Sequence, residues 1–204
     1  MSLIPLGFNG ELVNALVVGA GNVGTRRALL LLDAGARVRV IAPAISDALE
    51  TESRRSDRLS LERREYIGGQ DIADATIVVA ATASHAVNEQ IARDAKAANA
   101  AVNVADAPEN GSFAFLAVHR VGDVAIGVSA DGVPNAAGRI RDSIAARIDS
   151  KYSDAVKQCS ELRNRVLATE GSEQWRRIAN DLIDEEFCNS IEQGTFNDKA
   201  ARWR

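Results

Sequence analysis

Over the first half of the chain, apolar residues cluster into short runs, some interrupted by a single polar residue, separated by amphipathic stretches. Ala15-Leu16-Val17-Val18 is the first run, Val38-Arg39-Val40-Ile41 the second, residues 75–81 the longest, and Val102-Asn103-Val104-Ala105 the last. Runs of this length without alternation predict strands buried on both faces, as in a parallel sheet. Leu59, Leu61 and Arg63 alternate with polar residues, which predicts a half-exposed strand. Residues 25–34, 45–53 and 87–98 read as helices between the strands, the first with four consecutive leucines, Leu29 to Leu32, and closed by Gly35. Strands alternating with helices predict an α/β fold, a Rossmann-type doubly wound parallel sheet. Right-handed crossovers favour the strand order 3-2-1-4-5. Residues 3–6 form a short apolar run that reads as an edge strand before a turn at Asn9-Gly10.

The pattern changes after residue 105. Residues 106–111 read as a loop, residues 112–119 as a strand with Phe113 and Phe115 on one face, and residues 124–129 as another strand. Only Val121-Gly122-Asp123 separates them, so they form a hairpin and not a crossover unit. Residues 136–148 predict a helix with Ile140, Ile144 and Ile148 four apart on one face. From residue 151 on the spacing is helical throughout, marked by Val156, Cys159, Leu162 and Val166, then by Ile178, Leu182, Ile183, Phe187 and Ile191. The expected organisation is residues 1–112 as a dinucleotide-binding domain, 113–150 as a small α+β dimerisation module, and 151–204 as a C-terminal helical module.

The chemistry centres on Gly19-Ala20-Gly21-Asn22-Val23-Gly24, a G-x-G-x-x-G that follows the first strand and opens the first helix. In that context Gly19 makes the tight turn, Gly21 lets backbone approach a pyrophosphate, and Gly24 lets helix pack on strand. The free N–H groups at the helix start then face the phosphates. Many NAD folds carry an acidic residue at the end of the second strand to hold the ribose. Here that place is Ala42, before Pro43, and no arginine follows closely to take a 2′-phosphate. Ligands of open α/β sheets sit beyond the C-terminal strand ends, which here are Gly19 to Gly24, Ala42-Pro43, Thr82 to His85, and Asp106-Ala107-Pro108. Small residues near Thr82 let a cofactor pass close. Asp106 is the carboxylate in the last of these ends, with two readings: proton acceptor while hydride leaves for a nicotinamide, or cap of its own turn. His85 reads as a helix cap or a solvated side chain, His119 as structural, and Asp131 beside Gly132 as a turn residue. The arginines at 54, 55, 58, 63 and 64, interleaved with Asp57, Glu62 and Glu65, read as a solvated face.

Composition narrows the setting. The 204 residues are 46% hydrophobic and 25% charged, as in an ordinary globular protein. A net charge of −4 argues against a general nucleic-acid binder. No apolar run approaches the length of a membrane span, and residues 1–11 lack the basic start and apolar core of a secretion signal. Cys159 and Cys188 have no metal-ligand spacing and read as buried free thiols in helices. With only two histidines, a His-rich metal cage is not expected. The expected location is the cytoplasm, without nucleic-acid or membrane partners.

Several motifs in register carry a resemblance. They are Val17 to Val23, Arg27, Leu31-Leu32, Ala34-Gly35-Ala36-Arg37-Val38, Ala42-Pro43, Ala80-Ala81-Thr82 with Asn88, Asn103 to Pro108, Ser112-Phe113, and Val128-Ser129 with Asp131-Gly132. Together they resemble the siroheme synthase N-terminal domain, a family that includes precorrin-2 dehydrogenases, some of which are also sirohydrochlorin ferrochelatases. The resemblance covers at least residues 3–148, and the helical tail suits it. It implies a Rossmann domain, a strand-exchanging dimerisation module and a helical module, with NAD bound without the usual acidic residue. The family's catalytic aspartate falls on Asp106. Gly19, Gly21, Asn22, Val23 and Gly24 would hold the pyrophosphate, Ala42 and Pro43 would line the cofactor cleft, and Ala81 and Thr82 the nicotinamide side. A polycarboxylate substrate would be met by Ser129, Asp131 and Gly132, with Arg120 and Arg139 as candidate cations. The chain departs from the family at Ala83-Ser84, where an Asp-Asp pair is usual, at Pro134-Asn135 in place of Ser-Pro, and at Ala130 in place of serine. The expectation is NAD-dependent oxidation of precorrin-2 to sirohydrochlorin by a homodimer with no dedicated metal site. The alternatives are added Fe(II) or Co(II) insertion, or an NAD-binding regulatory module without turnover. A short hairpin and helix that cannot bury Phe113, Phe115, Ile140, Ile144 and Ile148 alone also argue for pairing with a second copy.

Overall fold

A computed structural model describes residues 3–203. The chain forms two compact units that meet in sequence between Phe115 and Leu116.

The first unit is built on five parallel strands, β1 (Asn14–Val18), β2 (Arg37–Ile41), β3 (Leu59–Glu62), β4 (Ile77–Ala80) and β5 (Ala101–Val104), in the order β3-β2-β1-β4-β5. This is the order expected from right-handed crossovers. Alternation along each strand sends successive side chains to opposite faces. Leu16, Val18, Ile41, Val78, Ala80, Val102 and Val104 pack on one face with Ile91, Ala92 and Ala95 of helix α3 (His85–Ala97). Ala15, Val17, Val38, Val40, Ile77 and Val79 pack on the other with Ala28 and Leu31 of α1 (Asn22–Asp33) and Leu49 of α2 (Asp47–Ser53). Burial on both faces is why β1 and β4 read as apolar runs.

Three local expectations are corrected. Helices α1 and α3 start at Asn22 and His85, earlier than periodicity placed them, because the buried residues of their first turns are Gly24 and Asn88, which carry no apolar side chain. Residues 3–6 form no strand; among the described residues they have no ladder partner, and Ile4 and Leu6 are exposed. Residues 112–116 are not part of the hairpin either. The N–H groups of Ser112 and Phe113 both donate to the Val102 carbonyl, and Asn103 Nδ2 donates to the Phe113 carbonyl, so this segment lies along β5. Phe113 and Phe115 consequently pack on the first unit's core, edge to face at 5.2 Å, with the Arg27 guanidinium 4.1 Å over the Phe115 ring. Burial, and then the neighbouring Arg26, lower the Arg27 pKa to about 10. The arginine-rich stretch is the expected solvated face at Arg54, Arg55, Arg58 and Arg63, with Arg64 drawn inward. Arg64 bridges Glu62 and the buried Asp71, and Arg63 pairs with Glu50.

The second unit contains an antiparallel hairpin, β6 (Ala117–Val121) and β7 (Val124–Val128), turning at Gly122, where φ is +52. Helix α4 (Pro134–Ala145) packs on it. Helices α5 (Ser150–Thr169), α6 (Ser172–Leu182), α7 (Phe187–Glu192) and α8 (Phe196–Ala201) follow. Their core joins Tyr152, Ala155, Cys159, Leu162, Val166, Ile178, Leu182, Ile191 and Phe196. Ile183 is exposed, and so is Cys188, so only Cys159 of the two thiols is buried. His119 Nε2 lies 3.1 Å from the Ile148 carbonyl, a structural contact as expected.

Candidate functional site

The loop between β1 and α1 gives each glycine a separate task. Gly19 has φ +102, and a Cβ there would stand 2.2 Å from the Ala81 carbonyl oxygen. A Cβ on Gly24 would stand 1.9 Å from the Gly19 carbonyl oxygen, so α1 packs backbone against backbone at the strand exit. Gly21 differs. Its φ of −71 and ψ of −173 suit any residue, and a Cβ there meets nothing within 4 Å. Its missing side chain leaves room above the loop. Gly21 is also the N-cap of α1, which has no side-chain cap and no acidic residue in its first turn. The N–H groups of Asn22 and Val23 therefore keep no intrahelical partner, and the positive end of the helix dipole lies with them. Such a cradle fits an anionic diphosphate. Thr25 Oγ1 donates to the Ala20 carbonyl and shares a 2.9 Å hydrogen bond with Ser46 Oγ, pinning the loop to the start of α2.

The other strand ends converge on the same edge of the sheet. Gly19 N–H donates to the Ile41 carbonyl, Ala81 N–H to Val18 and Ala105 N–H to Ala80. Ala42 is buried after β2 and Pro43 is exposed, so no carboxylate meets a ribose from that position. Beyond β4 and β5 lies a polar network around Asn88, which is fully buried. Its Oδ1 accepts from Thr82 N–H at 3.0 Å and from Thr82 Oγ1 at 2.8 Å. Its Nδ2 donates to the Thr82 carbonyl at 3.2 Å and to Asp106 Oδ1 at 2.9 Å. His85 Nδ1 stands 2.9 Å from Asp106 Oδ2. The helix cap is Ser84, whose Oγ accepts from Val87 N–H, so of the two readings of His85 the cap falls; its side chain is 60% exposed and forms an ion pair with Asp106. Asp106 in turn spends its carboxylate on His85 and Asn88.

Charge follows this geometry. Partial burial is the largest influence on Asp106 and raises its pKa. The hydrogen bonds from His85 and Asn88 outweigh it and hold the carboxyl below its ordinary range. The hydrogen bond to Asp106, then its charge, raises the His85 pKa. The Asp106 side chain is 39% exposed, so a charged carboxylate with lone pairs to spare faces outward at the sheet edge. Sequence reasoning missed His85 and gave Asn88 no role; their i, i+3 spacing on one face of α3 was the available signal.

The remaining candidates belong to the second unit. Arg120 lies on β6, Ser129 follows β7, Asp131 and Gly132 form a turn with φ of +32 and +79, and Arg139 lies on α4; all five are exposed. Among the described residues no group of three or more His, Cys, Asp or Glu could hold a metal ion.

A family model described as "Putative NAD(P)-binding" matches residues 8–117, the stretch that holds the sheet, the glycine loop and Asp106. The chain belongs to this NAD(P)-binding family. It is 36% identical over 179 residues to a siroheme synthase of Pseudomonas paraeruginosa, covering 87% of this chain and 38% of that protein. It is 35% identical over 200 residues to the siroheme synthase of Pseudomonas fluorescens, covering 98% of this chain and 41% of that one. The chain thus spans about two fifths of the length of these relatives. Among solved structures it is similar to "SirC, precorrin-2 dehydrogenase", with a TM-score of 0.76, 23% identity, and coverage of 98% of this chain and 100% of the other. That likeness bears out the expected fold, and the relatives bear out the resemblance read from the sequence.

Proposed function

We propose that this protein oxidises precorrin-2 to sirohydrochlorin with NAD. The observation that carries the reading is the ionised Asp106 carboxylate, held by His85 and Asn88 at the sheet edge where the uncapped glycine-loop helix also begins. The siroheme synthase relatives and the precorrin-2 dehydrogenase of like fold support the substrate.

Removing two hydrogens from a reduced tetrapyrrole releases one as hydride and one as a proton. NAD, when bound, supplies the hydride acceptor. The chain supplies the rest. Backbone N–H groups at Gly21, Asn22 and Val23 bind the diphosphate, with Gly19 and Gly24 fixing the loop. Ala42 and Pro43 line the cleft, and Ala81 and Thr82 the nicotinamide side. Asp106 takes the proton on a lone pair that His85 and Asn88 leave open. Arg120 and Arg139 are the candidate cations for the substrate's carboxylates, and Ser129, Asp131 and Gly132 the candidate polar contacts for the substrate. The active form is a homodimer; the two-stranded β6–β7 sheet and the exposed Ile140 and Ile144 support pairing with a second copy. The reading includes a cytoplasmic location, supported by two unpaired cysteines. Among the described residues no helix is long and apolar enough to cross a membrane.

The test is an anaerobic assay of purified protein with precorrin-2, with and without NAD, followed by absorbance. Sirohydrochlorin should form only when NAD is present, and a further arm with Co(II) reads metal insertion. An unchanged spectrum with NAD would refute the reading.

A further inference from the structure

His85 is the residue at this edge to which the proposed reaction gives no task. It is 60% exposed in its side chain and touches no core cluster. Ser84 already caps α3, and the buried Asn88 already ties Asp106 to Thr82. Exposed ion pairs add little to fold stability. What His85 does own is the second carboxylate oxygen, Oδ2, at 2.9 Å. Three other groups bear on its charge. Glu89 on α3 lies 3.5 Å from Nε2, Arg93 reaches that same glutamate at 4.0 Å, and Glu109 acts from the turn after β5.

We propose that His85 is a positioning residue for Asp106, fixing the orientation of the carboxylate and keeping it ionised so that it accepts the substrate proton. The inference rests on the function proposed above. With Asn88 on Oδ1 and His85 on Oδ2, the carboxyl plane is fixed from both sides and the outward lone pairs point to solvent. Without His85 the carboxylate keeps only Asn88 and rotates about its Cβ–Cγ bond. Its protonation then rises toward that of an ordinary half-buried carboxyl. The imidazole is charged below its raised pKa and neutral above it, so its influence on Asp106 is strongest below that pKa.

Three measurements test this. Ring titration by NMR, in the wild type and in Asp106→Asn, reads the pairing without any turnover: the His85 titration should move to lower pH in the variant. The pH profile of kcat for precorrin-2 oxidation should show its acid limb at higher pH in His85→Ala, with the plateau lowered roughly tenfold, the loss expected of one charge-assisted hydrogen bond. His85→Gln, a neutral donor, should recover most of the plateau but not the acid limb. NAD affinity should be unchanged in both His85 variants. An unmoved His85 titration in Asp106→Asn overturns the inference whatever the enzyme does. Turnover in His85→Ala with the wild-type acid limb and plateau overturns it as well. Absence of turnover in the wild type overturns the proposed function instead.

Discussion

Replacing Gly21 by alanine should separate the ligand from the fold. At φ −71 and ψ −173 alanine fits without strain, and its methyl meets nothing within 4 Å. The stiffer unfolded chain favours alanine by about 0.4–1 kcal/mol, and its poorer N-cap costs about as much. The two offset, so the melting temperature should stay within about 2 °C of the wild type. Binding is another matter. The methyl stands in the space a diphosphate needs to reach the Asn22 and Val23 N–H groups. Losing one charge-assisted hydrogen bond costs about 1.5–3 kcal/mol, which raises Kd for NAD roughly 10- to 100-fold. Gly24→Ala should do the reverse in kind. Its Cβ would stand 1.9 Å from the Gly19 carbonyl oxygen, a backbone atom that cannot swing aside. Overpacking of this sort costs about 1–3 kcal/mol, against a helix-propensity gain of at most about 1 kcal/mol. The expected loss is about 2 kcal/mol, or roughly 5 °C in Tm. Calorimetric titration with NAD and thermal unfolding read both variants. A Gly21→Ala protein that binds NAD as tightly as the wild type would refute the cradle, whatever the melting temperatures show.

Asp106→Asn should lower precorrin-2 oxidation at least about 100-fold and leave NAD affinity within about twofold; a wild-type rate by anaerobic absorbance would remove Asp106 from the chemistry. Asp71 is 4% exposed and accepts from Arg64 and from Ile67 N–H. The Arg64 hydrogen bonds are the chief reason its carboxyl lies below the ordinary 3.8. A depressed folded pKa contributes stability above the unfolded value that is lost as pH falls through the folded one. Asp71→Asn should therefore cost about 2–3 kcal/mol in urea unfolding at pH 7, with the gap to the wild type closing below about pH 4; a pH-independent gap would refute the linkage. Ile144 is 37% exposed within the single chain, so Ile144→Asp should fold normally yet sediment as a monomer and lose turnover, whereas a fully active monomer would refute the coupling of pairing to activity.

The sheet was legible because its demands are simple. A strand covered on both faces has to be largely apolar. Leu16 to Val18 and Ile77 to Ala80 meet that demand in full, while Val38 to Ile41 carries Arg39, which pairs with Glu62 and donates to the Asp71 carbonyl. What periodicity could not supply was partnership. Phe113 and Phe115 alternate with small or polar residues as strand residues do, but Ser112 and Phe113 are bonded to Val102 at the sheet edge, and the strand starts only at Ala117. Ile4 and Leu6 satisfy the composition of a strand and lack a ladder among the described residues. Helix starts slipped for a related reason: the first turn of α1 buries Gly24 and exposes Val23 at 40%, so hydrophobic periodicity does not mark it.

The site divides along the same line. The glycine loop was legible because each glycine answers a constraint within ten residues of chain: a positive φ, an open face, a close backbone contact. The His85–Asp106 pair spans 21 residues and exists only because β4 and β5 are neighbours. Their register sets Ala80 against Val104, and two residues further on this brings Thr82 level with Asp106. Helix α3 then opens beside Thr82, and its i, i+3 pair His85 and Asn88 both turn toward the same carboxylate. The strand order therefore contained the pairing, once adjacency was carried past the strand ends into the loops. The departure at Ala83-Ser84 belongs to this geometry. Two aspartates there would stand within one helical turn of His85 and compete for its charge. Alanine and a capping serine leave the imidazole's Nδ1 committed to Asp106.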